Sequence, residues 1–177
     1  MFKTGFVLIA GGLGERLGGG GRSRMNTKVN HTTYTRNLQT VDKPLAKFCA
    51  EVALAQLHGN LDYANEQPTG SSMYETVEPW PKVCAHPRFC KEICEPCQLG
   101  QRNSKGQLVK KSTELRASDP DLLHYFKGLK CGRFPKLCNG IHAELTGHES
   151  YRARIWPWAL ARRRVWGIVR LMRDTYW

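Results

Sequence analysis

The stretch Phe6-Val-Leu-Ile-Ala-Gly-Gly-Leu-Gly-Glu-Arg-Leu-Gly18 decides the fold that this chain is expected to adopt. Residues 6–10 are a short apolar run without alternation, which is typical of a strand buried on both faces of a parallel sheet. Gly11 and Gly12 then remove two side chains where the backbone turns and where a ligand can approach its N–H groups. A helix beginning here would hold Arg16 near its positive end. The stretch therefore predicts an α/β fold with a phosphate-binding turn after its first strand.

Two common phosphate-binding motifs do not fit this turn. A Walker A loop beginning at Gly14 would need Lys followed by Ser or Thr, but Gly20 and Gly21 stand at those positions. A dinucleotide fingerprint beginning at Gly12 would need Gly or Ala at the position of Leu17. The turn therefore belongs to another class of nucleotide-binding sequence.

Residues 7–18 closely resemble the signature of the sugar nucleotidyltransferases, in the form found in UDP-sugar pyrophosphorylases. Relatives specialised for N-acetylhexosamine usually have Gly-Thr-Arg where this chain has Gly14-Glu15-Arg16, and UDP-glucose-specific enzymes lack the arginine. The resemblance implies a Rossmann-like nucleotidyltransferase domain that binds UTP. The implied nucleotide-binding residues are Ile9, Ala10, Gly11, Gly12, Gly14 and Arg16, with Arg16 as the catalytic contact to the phosphates.

The reaction implied by this resemblance joins UTP to a sugar 1-phosphate with Mg²⁺ as the cofactor. The sugar-phosphate oxygen attacks the α-phosphorus of UTP, a UDP-sugar forms and pyrophosphate leaves. The family places a phosphate-binding lysine where this chain has Ser23, and its later metal-site aspartate has no counterpart here. We therefore expect a truncated or inactive uridylyltransferase, a fragment of a Rossmann-like domain with a large, poorly structured remainder.

Composition and hydrophobic patterning indicate what structure the rest of the chain can form. Leu, Ile, Val and Phe make up about a fifth of its 177 residues, and the net charge is +12, which is close to the composition of disordered chains. The patterning predicts one long helix at 42–59, with Asp42 as N-cap and its apolar face on Leu45, Phe48, Cys49 and Val52. It predicts a shorter helix at 119–127 and loops at 59–81 and 100–111.

The apolar run at the start of the chain is too short for the core of a signal peptide, and glycines follow it. No stretch approaches the ~20 apolar residues of a transmembrane helix. We therefore expect a soluble, cytoplasmic protein.

Seven cysteines in an intracellular chain invite comparison with zinc sites. Cys94 and Cys97 have the two-residue gap that lets two thiolates reach one ion. Their partner pair would be either Cys131 and Cys138 or Cys84 and Cys90. Both pairs are irregularly spaced, and the sequence therefore predicts no metal ligands and well under one zinc per chain. Buried or incidental free thiols and a redox pair are the alternatives.

The C-terminal residues interleave arginine with tryptophan. From Trp158 onward, an amphipathic helix would place Ala161, Val165, Ile168, Val169 and Met172 on one face. Such a tail suits an anionic membrane or a single-stranded nucleic acid, or is simply solvated. The predicted division is 1–60 as the start of a UTP-binding domain, 61–150 as an irregular cysteine-containing region and 151–177 as a basic tail. The alternative function is a small basic binding protein that uses its cysteine cluster or this tail.

Overall fold

The computed structural model describes residues 6–9, 31–132, 138, 140–145, 149 and 155–176. These residues form a small α/β fold with a four-stranded sheet. The strands are β1 (Phe6–Ile9), β2 (Asp62–Pro68), β3 (Cys90–Cys94) and β4 (Thr113–Ala117), in the spatial order β1-β2-β4-β3. The helices are α1 (His31–Asn37), α2 (Lys43–His58), α3 (Met73–Thr76), α4 (Trp80–Ala85) and α5 (Trp158–Tyr176).

Three shorter helical segments complete the described elements. A π-helical turn at Leu38–Asp42 joins α1 to α2. The first 3-10 helix is Pro96–Leu99, and the second is Pro120–Phe126. None of the described helices has both the length and the apolar character that a membrane span requires.

The predicted first strand and its parallel pairing are confirmed. β1 pairs in parallel with β2, and the register places Val7 opposite Tyr63 and Ile9 opposite Asn65. The connection between the two strands contains α1 and α2, as parallel strands require a crossover. The segment from Ala10 to Asn30, which includes most of the predicted phosphate-binding turn, lies outside the described residues.

The described residues fall into two compact units. The first contains the residues up to Cys90 and Arg116–Asp119, and the second contains Lys91–Leu115 and the residues from Pro120 onward. The division into regions 1–60, 61–150 and 151–177 stays a prediction.

The core of the first unit lies against α2. Trp80 is fully buried and donates a hydrogen bond from Nε1 to the Ala46 carbonyl at 3.0 Å. The ring of Tyr74 meets Trp80 edge-on, with centroids 5.2 Å apart. The buried face of α2 consists of Ala46, Cys49, Ala50, Ala53 and Leu57.

The predicted apolar face of α2 is confirmed only at Cys49, which is buried. Phe48 is 60% exposed, and Leu45 and Val52 are only half-buried. Alanine side chains are small and allow the helix backbone to approach its neighbours closely. The buried face is therefore rotated toward the alanine positions of the helix. Asp42 does not cap the helix, because its own backbone is helical and continues from the preceding turn. The predicted end at Gly59 is confirmed, since the helix ends at His58.

Three other predictions met different outcomes. The loop predicted at 59–81 was wrong, because this segment contains β2 and α3. Residues 62–68 read as polar, yet the structure buries them in the sheet. The helix predicted at 119–127 is present as the second 3-10 helix. Residues 100–111 contain an isolated bridge between Arg102 and Leu108 and no longer element, as predicted.

Helix α5 packs on the second 3-10 helix, and both belong to the second unit. Gly167 makes the closest approach, because a Cβ added there would lie 2.7 Å from the carbonyl oxygen of Leu122. Arg170 pairs with Asp121 at 2.7 Å, and Arg163 donates to the Tyr125 carbonyl at 3.3 Å. These polar contacts join α5 to the second 3-10 helix.

We predict that Gly167→Ala destabilises the protein, although alanine normally favours a helix. The added methyl group must displace the Leu122 carbonyl, which we expect to cost about 1–3 kcal/mol of unfolding free energy. The control is Val165→Ala on the exposed side of the same helix, where alanine should be neutral or should stabilise by up to about 0.7 kcal/mol. Urea unfolding followed by circular dichroism measures both values. Equal stabilisation by the two substitutions would contradict the close packing at Gly167.

Candidate metal centre

Three cysteines and one histidine of the second unit converge on one point. They are Cys97, Cys131, Cys138 and His142, and their ligand atoms all lie within 4.8 Å of one another. Cys97 belongs to the first 3-10 helix, and the others follow the second one along the chain. Cys97 is 0% exposed and Cys138 is 3% exposed, whereas Cys131 and His142 are half-buried, so one side of the centre is shielded from water.

Three separations between neighbouring ligand atoms of this cluster are close to the edge lengths of a coordination tetrahedron. The Cys131 and Cys138 sulfurs are 3.3 Å apart, and those of Cys138 and Cys97 are 3.7 Å apart. The Cys131 sulfur lies 3.5 Å from Nε2 of His142. Tetrahedral zinc with its usual bond lengths would separate two sulfurs by about 3.8 Å and a sulfur from a nitrogen by about 3.6 Å. These three separations are therefore compatible with an ion held by the four side chains.

The backbone around the cysteines supports this convergence. Gly132 follows Cys131 with φ of 76°, and Gly140 lies two residues after Cys138 with φ of 86°. Residues with a Cβ rarely adopt this left-handed conformation. The backbone N–H groups of both glycines hydrogen-bond to the Cys138 sulfur. The two turns therefore place N–H donors around the Cys138 sulfur, where they stabilise its thiolate form.

Two polar side chains hold the segments that carry the ligands. The buried Gln98 donates from Nε2 to the Lys130 carbonyl at 3.2 Å and to the Cys138 sulfur at 3.5 Å. Glu95 accepts a hydrogen bond from the Cys131 backbone N–H and pairs with Lys110 at 3.2 Å. Such outer contacts fix the positions of metal ligands in proteins.

The pKa values of the three thiols in the cluster are shifted in different directions. Burial raises the pKa of Cys97, and the hydrogen bond with Cys138 raises it further. Burial also raises the pKa of Cys131, again with a contribution from Cys138. Burial opposes ionisation of Cys138 as well, but hydrogen bonds from backbone N–H groups and from its neighbours lower its pKa to about 6. One thiolate stabilised by its neighbours is thus the expected charge state near neutral pH.

A depression of about 310 Å³ lies beside the cluster in the same unit. Its lining residues are Arg102, Gln107, Leu108, Ile141, His142 and Ala143. His142 is the residue that this depression shares with the cluster. Because four protein atoms would already fill a tetrahedral ion's coordination sites, a molecule in the depression would contact the imidazole and not the metal.

The structure brings together part of the cysteine set considered from the sequence. Cys97 is joined by Cys131 and Cys138, which formed one of the two partner pairs considered. Cys94 is buried but lies outside this ligand set. Cys84 and Cys90 belong to the first unit, where Cys84 accepts a hydrogen bond from Arg116 at 2.7 Å.

His142 was missed by the sequence reasoning. Its signal was the three-residue gap after Cys138, in Cys138-Asn-Gly-Ile-His142, which resembles the ligand spacing of zinc sites. The expectation of no metal ligands was based on irregular spacing along the chain. The fold makes that spacing irrelevant, because the cysteines approach one another from two separate segments.

The predicted nucleotide-binding residues are described only in part. Ile9 is the last residue of β1, and its backbone pairs with Asn65 of β2. The others, Ala10, Gly11, Gly12, Gly14 and Arg16, lie outside the described residues. Comparisons with protein-family models, with curated proteins and with solved structures found no match to this chain.

We predict that zinc binding to this cluster releases about two protons per ion near neutral pH. Cys97 and Cys131 have raised pKa values and must each lose a proton, whereas Cys138, with a pKa of about 6, is already largely ionised. Affinity should therefore fall as the pH is lowered, and more steeply below about pH 6, where Cys138 is protonated as well. Calorimetry in two buffers of different ionisation enthalpy measures the number of protons. A heat of binding that is independent of the buffer would contradict this assignment.

Proposed function

We propose that this protein is a small basic binding protein whose second unit is built around a structural zinc ion. The observation that carries the proposal is the convergence of three cysteine sulfurs and one histidine nitrogen, all within 4.8 Å of one another. The proposed ligands are Cys97, Cys131, Cys138 and His142. All four positions of a tetrahedral ion would be filled by the protein, which is typical of structural and not of catalytic zinc sites.

Zinc is the ion that this set of ligand atoms favours. Three thiolates are soft ligands, and a tetrahedral arrangement of sulfur and nitrogen atoms is characteristic of zinc. Mg²⁺ prefers six oxygen ligands in an octahedral arrangement, which the cluster does not offer. The Mg²⁺ expected from the sequence therefore belongs to the nucleotide-binding hypothesis and not to this centre.

The ion would stabilise the second unit by joining distant segments. Coordination ties the first 3-10 helix, through Cys97, to the chain around Cys131 and His142. Hydrogen bonds already join these segments, such as Glu95 N–H to the Leu129 carbonyl at 2.8 Å and Gln98 Nε2 to the Lys130 carbonyl at 3.2 Å. Because an unfolded chain does not hold a preformed site, the free energy of zinc binding adds to the stability of the fold.

We predict that the purified protein holds about one zinc per chain and that Cys97→Ser lowers zinc affinity about a hundredfold or more. The matched control is Cys94→Ser, which changes the other cysteine of the same Cys-x-x-Cys motif. Both side chains are completely buried, but only Cys97 points a sulfur at the cluster. Zinc content by atomic emission and affinity by competition with a chromogenic chelator measure the effect, with circular dichroism as the check on folding.

Three outcomes would contradict the proposed zinc site. One is a zinc content far below one ion per chain in protein that was purified without a chelator. A second is an equal loss of affinity in the two serine variants, which would place Cys94 in the ligand set. The third is a chelated protein as stable toward heat as the zinc-loaded one, since a structural ion must raise the melting temperature.

A second candidate function is UTP binding by the first unit, as in a Rossmann-like uridylyltransferase. It is favoured by the parallel pairing of β1 with β2, joined by a helical crossover. Ligands of such α/β units bind outside the carboxyl ends of the strands, where the glycine-rich turn follows Ile9. At the same end, β2 carries the buried polar residues Asn65, Glu66 and Gln67. UTP with a sugar 1-phosphate is the proposed substrate pair, and Mg²⁺ would supply charge neutralisation.

We predict that UTP binds to this protein and that Arg16→Ala weakens binding about tenfold to a hundredfold, the loss of one charged phosphate contact. The control is Arg36→Ala, which removes the same charge from the exposed end of α1. Chemical shifts of the Gly11, Gly12 and Gly14 amides during a UTP titration measure binding. Equal weakening by the two alanine variants would indicate general charge attraction, and no shift in folded protein would exclude UTP binding.

A further inference from the structure

The outward face of helix α5 is apolar. Its exposed side chains form a stripe along the helix, in which Trp158 is 76% exposed, and the stripe is defined by Trp158, Val165, Trp166, Val169 and Met172. Trp158 lies two helical turns before Val165, and Val169 and Met172 follow Val165 at gaps of four and three residues, so these positions lie on one side of the helix with Trp166 at its edge. Two exposed arginines, Arg162 and Arg173, fall on the same side.

The stripe is not the surface that attaches α5 to the protein. The opposite side of the helix carries Leu160, Gly167 and Leu171, which are buried, and Gly167 packs against Leu122. The ion pair of Arg170 with Asp121 adds to this attachment. A docked surface helix normally turns polar residues outward. A contiguous apolar stripe on the outward side therefore indicates a surface that meets a partner.

The charge around the stripe favours an anionic partner. Helix α5 contains five arginines and one acidic residue, Asp174, and the chain as a whole carries a net charge of +12. A second copy of this chain would bring two strongly positive helices together, and their repulsion opposes self-association through this face. The partner that relieves this charge must be negative.

The side chains of the stripe favour lipid over nucleic acid. Single-stranded nucleic acid binds by stacking its bases on open aromatic faces. Trp166 already has Arg162 at 4.8 Å from its ring and the Tyr125 ring at 5.5 Å. Val165, Val169 and Met172 offer no stacking surface, but aliphatic groups between arginines suit the boundary between lipid headgroups and acyl chains.

We propose that the apolar stripe of α5 binds the surface of membranes that contain anionic lipids. The helix would lie parallel to the membrane plane, with Trp158, Val165 and Val169 entering the headgroup layer. Arg162 and Arg173 would then contact the lipid phosphates from the same side of the helix. This mode of attachment needs no membrane span.

The experiment measures binding of the full chain to vesicles by sedimentation. Vesicles of phosphatidylcholine with phosphatidylserine in a three-to-one ratio are compared with vesicles of phosphatidylcholine alone. Val169→Glu places a charge in the stripe, and Val41→Glu places the same charge at an equally exposed valine of the π-helical turn, the two valines being 48% and 52% exposed. We expect Val169→Glu to lower the partition coefficient about tenfold or more and Val41→Glu to leave it nearly unchanged.

A second pair of measurements tests the role of charge. Combined Arg162→Gln and Arg173→Gln should reduce binding to the mixed vesicles while leaving the weak binding to pure phosphatidylcholine unaffected. Raised salt should have the same effect on the native protein. Circular dichroism of each variant confirms that α5 remains folded.

Several results would overturn the proposal. Failure of the folded native protein to bind the mixed vesicles is the first, and equal effects of the two glutamate variants is the second. The third is binding of a single-stranded oligothymidylate that Val169→Glu abolishes, which would assign the stripe to nucleic acid. The fourth is a dimer in sedimentation velocity that the same variant dissociates, which would assign it to a second copy of the chain.

Discussion

The convergence of three thiols and one imidazole on a single point is the constraint on which the second unit depends. Cys97 and the group of Cys131, Cys138 and His142 come from segments far apart in the sequence, and ordering the chain between them costs entropy. Close thiols cannot all ionise without an ion, because each thiolate opposes the next. A bound divalent cation would remove that repulsion, and the hydrogen bonds from Gln98 and from the glycine N–H groups to the Cys138 sulfur would then stabilise a thiolate already held by the ion.

The first unit is stabilised in a different way. Its core is the alanine-rich face of α2 packed against Tyr63, Trp80 and neighbouring apolar residues. The polar start of β2 is compensated locally, because the buried Asp62 accepts a hydrogen bond from Ser118 at 3.0 Å and pairs with Arg88. A buried carboxylate without such partners would be costly. This unit thus combines apolar packing with a paired Asp62, whereas the second would rely on the proposed cross-link.

Local signals in the sequence predicted the elements that local interactions determine. The apolar run of β1 and the glycine after α2 each indicated one boundary correctly. The segment 62–68 was missed because its residues have low strand propensity, and its place in the sheet depends on pairing with β1 and on partners such as Ser118. The candidate metal cluster was anticipated only in part for a related reason. Cys97 with Cys131 and Cys138 belonged to one of the two sets weighed, but contacts between distant segments decide between the sets and bring in His142.

The three proposed activities differ in how each would use the positive charge of the chain. A closed zinc centre with three thiolates carries a negative charge of its own and does not need distant arginines. A nucleotide site needs a few cations at one turn, such as Arg16, and the remaining charge would contribute only to steering. The arginines of α5 are different, because two of them flank an exposed apolar stripe while Arg170 is neutralised by Asp121. Positive charge beside an exposed apolar surface favours binding to an anionic interface. Electrostatic attraction and burial of the apolar surface then add, and either alone would give only weak association.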